Sequence, residues 1–306
     1  MPSLAHQVLT RVIPLLRGSG EVVDAERTRS DVLAAQARHD PAPRARTVKG
    51  LEARRLDHDG VPGWELRVPG AAPGRTVLYL HGGAFVSGLD RFHWRYAARL
   101  VRELGVRVVL PTYPLTPGAT WREVMPRLVD LFEQQAIVSP GGVVLMGDSA
   151  GGGLAVGLAQ EAARRPGPQP TRLVVFAPWL DLEGTTPGTA EAAAADPWLT
   201  LSKLRLYGAW WAGDPPAAEA SALRGDPAGL PPTLVLCGTR DLLVPQSRAF
   251  VERARGAGVD VTYVEEPGLL HVYPLLPVPE ARRAWREVAA FLGSPRPRRP
   301  TGFRNL

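Results

Sequence analysis

A serine with a glycine two residues away on each side is the clearest chemical signal in this chain of 306 residues. The run Gly147-Asp148-Ser149-Ala150-Gly151 follows an apolar stretch and precedes a helical pattern, so it predicts a sharp strand-to-helix turn. Such a turn pushes the hydroxyl outward at the edge of a sheet, and glycine permits the close chain approach on both sides. We interpret Ser149 as a nucleophile; the alternative is a turn that only closes a strand–helix unit.

A second glycine-rich turn, His81-Gly82-Gly83-Ala84-Phe85, directly follows the predicted strand Thr76–Leu80. Attack on an ester carbonyl creates an oxyanion, which backbone N–H groups held in place can stabilise. We expect this turn to supply such donors beside the N–H of Ala150, the residue after Ser149. His81 is expected to hold the turn by hydrogen bonds rather than to act as a base.

His271 is the one histidine that follows Ser149 in the chain. It ends the predicted loop 267–271, between a strand over Val259–Glu265 and a helix over Glu280–Leu292. The carboxyl end of a strand is where a base would have to lie to meet Ser149, so His271 is the candidate base.

Three aspartates could orient the histidine. Asp241 is preferred because it closely follows the predicted strand Thr233–Leu236, 30 residues before His271. Its carboxylate would fix the imidazole tautomer and stabilise the imidazolium. Asp181 and Asp226 remain alternatives, and Asp181 is more typical of a residue that ties down a loop.

The elements around these residues alternate between short apolar strands and helices, from the strand Thr76–Leu80 to the last predicted helix. This alternation predicts an α/β fold, a parallel sheet covered by helices on both faces. The segment 182–230 interrupts it without strand signals, and we expect it to form a helical cap together with helices in residues 1–50. Aromatic residues expected to contact substrate are Phe85, Trp198, Trp210 and Trp211.

The predicted division has four parts: a helical segment 1–50 that belongs to the cap, a core formed by 51–181 and 231–293, the cap insertion 182–230, and a flexible basic tail 294–306. Only Lys49 and Lys203 among the 36 basic residues are lysine, so the net charge of +6 is mostly arginine. These arginines are scattered except in the tail, and no nucleic-acid motif accompanies them. Nucleic acid is therefore not an expected partner.

Cys237 is the single cysteine, which excludes an internal disulfide, and its apolar neighbours predict a buried strand residue. The first twenty residues lack the pattern of a signal peptide, and no stretch is long and apolar enough to span a membrane. A cytoplasmic protein without stable membrane insertion is expected. Whether the chain forms a homodimer is left open.

Several segments together resemble the hormone-sensitive-lipase-like esterases, also called bacterial family IV, over about residues 70 to 302. The matching segments are HGGAF at 81–85, YPLTP at 113–117, GDSAGG at 147–152, APWLDL at 177–182, DPWLT at 196–200, GTRDLL at 238–243 and PGLLHVY at 267–273. The chain is also similar to actinobacterial acetyl-hydrolases.

The resemblance implies an α/β-hydrolase fold, a mostly parallel eight-stranded sheet flanked by helices and covered by a helical cap. It implies a serine carboxylesterase for short- to medium-chain acyl esters, above all acetyl esters, that needs neither a cofactor nor a metal. Its triad would be Ser149, Asp241 and His271. The oxyanion donors would come from Gly82, Gly83, Ala84 and Ala150, with Ala84 standing where the family usually has a third glycine. Two alternatives stay open: an amidase or deacetylase acting on a natural product, and a catalytically silent binding protein for small molecules.

Overall fold

The computed structural model describes residues 2–17, 20–58, 60–72 and 74–293. One sheet holds the strands β1 (Glu52–His58), β2 (Val61–Arg67), β3 (Thr76–Leu80), β4 (Arg107–Pro111), β5 (Val143–Asp148), β6 (Arg172–Phe176), β7 (Thr233–Arg240) and β8 (Val261–Leu270). Their order across the sheet is β1-β2-β4-β3-β5-β6-β7-β8. The predicted α/β fold with a mostly parallel eight-stranded sheet is therefore confirmed.

The first two strands run antiparallel to each other, and β2 is antiparallel to β4. From β4 onward every neighbouring pair is parallel. The carboxyl ends of β3, β5, β7 and β8 consequently reach the same edge of the sheet, which is where ligands bind in folds of this kind.

The helices of the described ranges are α1 (Leu4–Arg17), α2 (Ala25–Ala37), α3 (Arg91–Leu104), α4 (Trp121–Ile137), α5 (Ser149–Ala163), α6 (Thr189–Ala195), α7 (Leu201–Ala212), α8 (Val244–Gly256) and α9 (Glu280–Gly293). Short 3-10 turns add the ranges 218–220, 222–224 and 273–275. No described helix is long and apolar enough to cross a membrane.

Helices cover the sheet on both faces because its central strands are apolar on both. In β5, Leu145 packs in a core with α4, α5, α7 and α8. Its neighbours Val144 and Met146 point to the opposite core, with α1, α3 and α9. Cys237 is buried in β7, as its apolar neighbours predict.

The end of β8 differs from the prediction, and the difference concerns the position of His271. The predicted loop 267–271 is strand as far as Leu270, so His271 follows β8 directly. The ladder continues there through a bulge, which pairs Arg240 with Leu270. A glycine and a proline in the segment suggested a loop, but pairing with the extended β7 keeps the backbone in the sheet.

The segment 182–230 contains α6, α7 and two 3-10 turns, and its other residues are in turns or irregular structure. The N-terminal segment is attached to the rest of the chain by the packing of α1 in the core and by hydrogen bonds. Gln36 of α2 donates hydrogen bonds to the carbonyls of Val86 and Thr116, and the backbone N–H of Ser3 donates to the carboxylate of Glu280. The basic tail predicted over 294–306 lies outside the described residues.

Candidate active site

The turn between β5 and α5 holds Ser149 in the left-handed region, with φ +53°. A Cβ on Gly151 would lie 2.1 Å from the carbonyl oxygen of Leu80, and one on Gly147 would lie 2.3 Å from the carbonyl oxygen of Gly151. Both contacts are with backbone atoms, which cannot move aside. The two glycines are therefore required by the close packing of the turn, and the serine carries its backbone strain.

The turn after β3 is also strained. Three consecutive residues have positive φ: Gly83 at +117°, Ala84 at +54° and Phe85 at +61°. Such a conformation costs about 1–3 kcal/mol at each residue that is not glycine, so the surrounding structure must hold it. The backbone N–H groups of Val86 and Ser87 both donate to the carbonyl of Gly83, and that of Thr116 donates to the carbonyl of Phe85.

His81 is fully buried beneath this turn. Its Nδ1 lies 2.7 Å from the carbonyl oxygen of Gly82, and its ring stacks on Tyr113 with 4.3 Å between the ring centres. The hydroxyl of Tyr113 donates to the carbonyl of His81 at 2.6 Å. Burial lowers the pKa of His81 to about 4, so the ring is neutral at pH 7. These contacts support the interpretation of His81 as a residue that holds the turn.

A buried carboxylate beside the nucleophile is a feature that the sequence analysis missed. Asp148 Oδ1 accepts hydrogen bonds from the hydroxyl of Tyr79 at 2.9 Å and from the backbone N–H of Gly82 at 3.1 Å. It also lies 3.3 Å from Nε2 of His93. Asp148 thus joins the turn after β3 to the turn that carries Ser149.

His93 lies between two carboxylates, with Asp148 near Nε2 and Asp90 near Nδ1, and its Nδ1 also accepts the backbone N–H of Asp90 at 3.0 Å. Burial alone would lower its pKa, but the carboxylates of Asp148 and Asp90 outweigh burial and raise the pKa to about 10. Through Nε2, His93 thus contacts the carboxylate that directly precedes Ser149 in the chain. His93 lies in a predicted helix, and the sequence pattern there gave no sign that it contacts Asp148.

Gly82 has to be removed from the set of oxyanion donors. Its N–H already donates to Asp148, so it cannot also point at a substrate. The candidates that remain are Gly83, Ala84 and Ala150. Ala150 occupies the first turn of α5, where an N–H has no acceptor within the helix.

His271 and Asp241 form a buried pair. Nδ1 of His271 lies 2.9 Å from Oδ2 of Asp241, while the other carboxylate oxygen accepts the N–H of Leu243 at 2.9 Å. Burial lowers the pKa of His271, but the facing carboxylate outweighs burial and the pKa is raised. This arrangement leaves Nε2 as the ring nitrogen available for proton transfer.

The alternative aspartates have other contacts. Asp181 accepts hydrogen bonds from the backbone N–H groups of Glu183, Thr185 and Thr186, so it ties down a loop as expected. Asp226 accepts the N–H of Ala228 at the surface. Among the described residues, Asp241 is the one whose carboxylate pairs with His271.

Ser149 and His271 line one cavity of about 460 Å³, together with Gly83 and Ala84. Of the four aromatic residues predicted to contact substrate, Trp198 lines it and packs edge-on against His271, with 5.4 Å between ring centres. The other walls include His39 from the N-terminal segment and Tyr207 from α7, neither of which the sequence pattern singled out.

Phe85, Trp210 and Trp211, the other aromatic residues predicted to contact substrate, are not among the residues that line this cavity. Phe85 and Trp211 are buried and stack on each other with 4.2 Å between ring centres. Trp210 packs against Tyr207 instead. Burial of the large rings of Phe85 and Trp211 stabilises the core, whereas Trp210 is only half-buried.

A second carboxylate, Asp196 from the segment 182–230, lies close to the pair. It accepts the backbone N–H of Leu242 at 2.8 Å and that of Trp198 at 2.7 Å. Burial and the nearby charge of Asp241 raise its pKa to about 6. Asp196 thus connects the loop that carries Asp241 to the tryptophan that packs on His271.

Comparisons with known proteins agree with this fold and site. Residues 77–275 match a family model described as alpha/beta hydrolase fold. An acetyl-hydrolase of Streptomyces hygroscopicus is 35% identical over 73% of this chain and 77% of its own length. An esterase of Acinetobacter venetianus is 28% identical over 80% of this chain and 82% of its own. The crystal structure of an esterase from the bacterial hormone-sensitive lipase family has a TM-score of 0.79, with 28% identity, over 95% of this chain and 98% of that one.

The chain therefore belongs to the α/β-hydrolase family. Within that family it is an esterase of the serine-hydrolase type, similar to the bacterial hormone-sensitive-lipase group, as the resemblance of its motifs predicts.

Proposed function

We propose that the chain hydrolyses short- to medium-chain acyl esters, above all acetyl esters, through an acyl-enzyme on Ser149. The observation that carries this proposal is the shared cavity, in which Ser149 and His271 both form walls while Asp241 holds His271 from behind. A nucleophile, a base and a residue that orients the base are the parts that such a reaction requires.

The proposed reaction has two halves. His271 Nε2 takes the proton of the Ser149 hydroxyl as the oxygen attacks the ester carbonyl, and the N–H groups of Gly83, Ala84 and Ala150 stabilise the oxyanion. The ester C–O bond breaks and the alcohol leaves with the proton from His271. Water then attacks the acyl-enzyme, again with His271 as base, and releases the acid and free Ser149.

A short acyl group is favoured by the packing beside the turn 81–85. Phe85 stacks on Trp179 and Trp211 there, and Ala84 packs against the core cluster that contains these three rings. The relative from Streptomyces hygroscopicus carries the name acetyl-hydrolase, which supports the same choice. A series of p-nitrophenyl esters of increasing acyl length tests it, and kcat/KM should be highest for the shortest acyl groups.

Replacement of Ser149 by alanine tests the function itself. Activity on p-nitrophenyl acetate should fall to less than about a thousandth of the wild-type rate, while the folded structure persists. A variant that keeps more activity would contradict the role of Ser149. Labelling of the wild type by a fluorophosphonate probe should succeed; a folded chain that stays unlabelled would favour the silent binding protein. Matched anilides would reveal an amidase.

The pH dependence follows from His271. Only neutral imidazole can take the proton from Ser149, so the rate should fall as the pH drops below the pKa of His271. A rate that stays constant down to about pH 4 would contradict a histidine base.

We also propose that residues 1–50 and 182–230 act as a cap on a core of 51–181 and 231–293. Residues from both segments, among them His39 and Tyr207, form walls of the cavity. A cytoplasmic location and a homodimer are further parts of the proposal, which cell fractionation and measurement of the molar mass in solution would test.

A further inference from the structure

The active-site cavity continues along the molecule in two further cavities. A middle cavity of about 530 Å³ lies between α1 and the start of α3, and a third one of about 590 Å³ lies beyond it along α3. The middle cavity shares His39, Asp90 and Leu276 with the active-site cavity. Phe92 lines all three. We call the middle and third cavities together the groove.

The middle part of the groove is mainly apolar. Leu9, Ile13 and Leu16 of α1 face Trp94 and Leu276 across it. Two carboxylates, those of Asp40 and Asp90, also line this part. They make the middle of the groove a poor place for an anion, and Asp90 is already within 3.0 Å of Nδ1 of His93.

The far end of the groove collects five arginines, which we call the arginine cluster: Arg44, Arg46, Arg91, Arg95 and Arg102. Three of them share one face of α3 and two come from the irregular segment after α2. The sequence analysis described the arginines before the tail as scattered. The fold brings these five together because residues 41–50 lie alongside α3.

The arginine cluster differs from other arginines in what it contacts. Arg67, Arg107 and Arg248 each pair with a glutamate. Among the described residues, no carboxylate forms an ion pair with an arginine of the cluster. Arg91 lies over the ring of Phe92, and Arg102 donates to the backbone carbonyls of residues 47 and 49. Guanidinium groups that line one cavity without carboxylate partners suit a phosphate, because a guanidinium can bind phosphate oxygens through two parallel hydrogen bonds.

We propose that the groove binds the alcohol portion of an anionic, amphiphilic acyl ester. The ester lies at Ser149, an apolar spacer crosses the middle of the groove, and a phosphate or a comparable anion lies at the arginine cluster. This inference rests on the proposed function, since a short acyl group leaves the bulk of the substrate on the alcohol side. It assigns a substrate class, namely acyl esters of alcohols with a terminal anion.

Monoacetates of hexanediol, nonanediol and dodecanediol test the proposal, each with the far hydroxyl either free or phosphorylated. The measured quantity is the ratio of kcat/KM for the phosphorylated ester to that for the neutral ester of the same length. We expect a ratio of about ten or more at low ionic strength for the lengths that reach the cluster, and a fall towards one at high salt. A ratio of one or less at every length would overturn the proposal.

The variant R44Q/R46Q/R95Q should reduce this ratio towards one. It removes three cluster arginines whose side chains form no hydrogen bond or ion pair with other described residues, and leaves Arg91 and Arg102 in place. The matched control R54Q/R127Q/R286Q removes the same charge from exposed positions outside the three cavities and should keep the wild-type ratio. An equal fall in both variants would mean that net charge alone sets the preference, and the assignment of the cluster would be wrong.

Two other sources of the anion would give different results. Inorganic phosphate should inhibit hydrolysis of the phosphorylated ester competitively and leave the neutral ester unaffected; an effect on the neutral ester would indicate a free regulatory anion and contradict the proposal. Binding to phosphatidylglycerol vesicles that R44Q/R46Q/R95Q abolishes, with a ratio of one for the soluble esters, would assign the cluster to a membrane surface instead. If neither member of a pair is hydrolysed, the proposed function fails rather than this inference.

Discussion

The two sides of the active-site cavity are built in different ways. On the sheet side, Ser149 and the turn 81–85 are held by strained backbone and by glycines that pack against other backbone atoms. On the other side, the segments 2–50 and 182–230 reach the site through single side chains, such as Gln36, Asp196 and Trp198. The comparison indicates that backbone conformation positions the nucleophile and the oxyanion donors. The cavity walls on the opposite side depend instead on side chains from distant parts of the chain.

The largest effect on stability should come from adding a methyl group at Gly151, on the sheet side of the cavity. Gly151→Ala places a Cβ 2.1 Å from the carbonyl oxygen of Leu80, and neither backbone can give way. We expect the free energy of unfolding to fall by about 3 kcal/mol or more, measured by urea denaturation. The matched change Gly256→Ala, at the end of α8 with nothing within 4 Å, should leave stability unchanged or slightly higher. Equal losses of stability in Gly151→Ala and Gly256→Ala would contradict the claim that close backbone packing fixes the sheet side.

The two carboxylates near His271, Asp241 on the sheet side and Asp196 on the opposite side, should differ in how much their replacement lowers kcat. Asp241→Asn removes the acceptor that fixes the tautomer of His271, so kcat should fall by about a thousandfold to ten-thousandfold. Asp196→Asn keeps an oxygen that can accept the N–H of Leu242, and kcat should fall by less than about tenfold. Thermal denaturation checks that both variants are folded. A larger loss from Asp196→Asn than from Asp241→Asn would reverse our assignment of the acid.

Two buried histidines should give stability profiles of opposite sign. Carboxylates raise the pKa of His93 to about 10 from the ordinary value of 6.5, so its contribution is full below pH 6.5 and is lost as the pH rises towards 10. His6 accepts the backbone N–H of Leu270 through Nε2, and burial lowers its pKa. Its contribution is therefore present above pH 6.5 and is lost as the pH falls below that value.

Urea denaturation of His93→Gln and His6→Gln at several pH values tests these signs. At pH 6, His93→Gln should be less stable than the wild type by more than about 1 kcal/mol, and the gap should shrink towards pH 10. His6→Gln should reduce the loss of stability on the acid side, because the amide oxygen can accept the same N–H and does not titrate. Parallel curves for the wild type and a variant would show that the histidine in question does not titrate as described.

The sequence allowed most of the sheet side to be predicted, because its signals are local. The turn at Ser149 is specified by glycines two residues before and after the serine and by the apolar strand that precedes them, all of them close in sequence. The contacts of Asp148 with His93, and the loss of Gly82 as a donor, could not be predicted because they join residues far apart in sequence. For the same reason, the different positions of Trp198 and Trp211 could not be predicted. The sequence around them is similar in composition, but Trp198 lies at the cavity wall and Trp211 lies in the core.

The smallest effect should distinguish two tryptophans of the segment 182–230. Trp198 lines the cavity and packs edge-on against His271, whereas Trp210 packs on Tyr207 and is not among the lining residues. Trp198→Ala should lower kcat/KM on p-nitrophenyl acetate by about threefold to tenfold. We expect KM to rise because the ring shapes the cavity wall, and kcat to fall because the ring restrains His271. Trp210→Ala should change kcat/KM by less than about twofold. If the two variants lose the same activity, side chains of this segment act through its overall folding, and the distinction between the two sides of the cavity would not extend to individual residues.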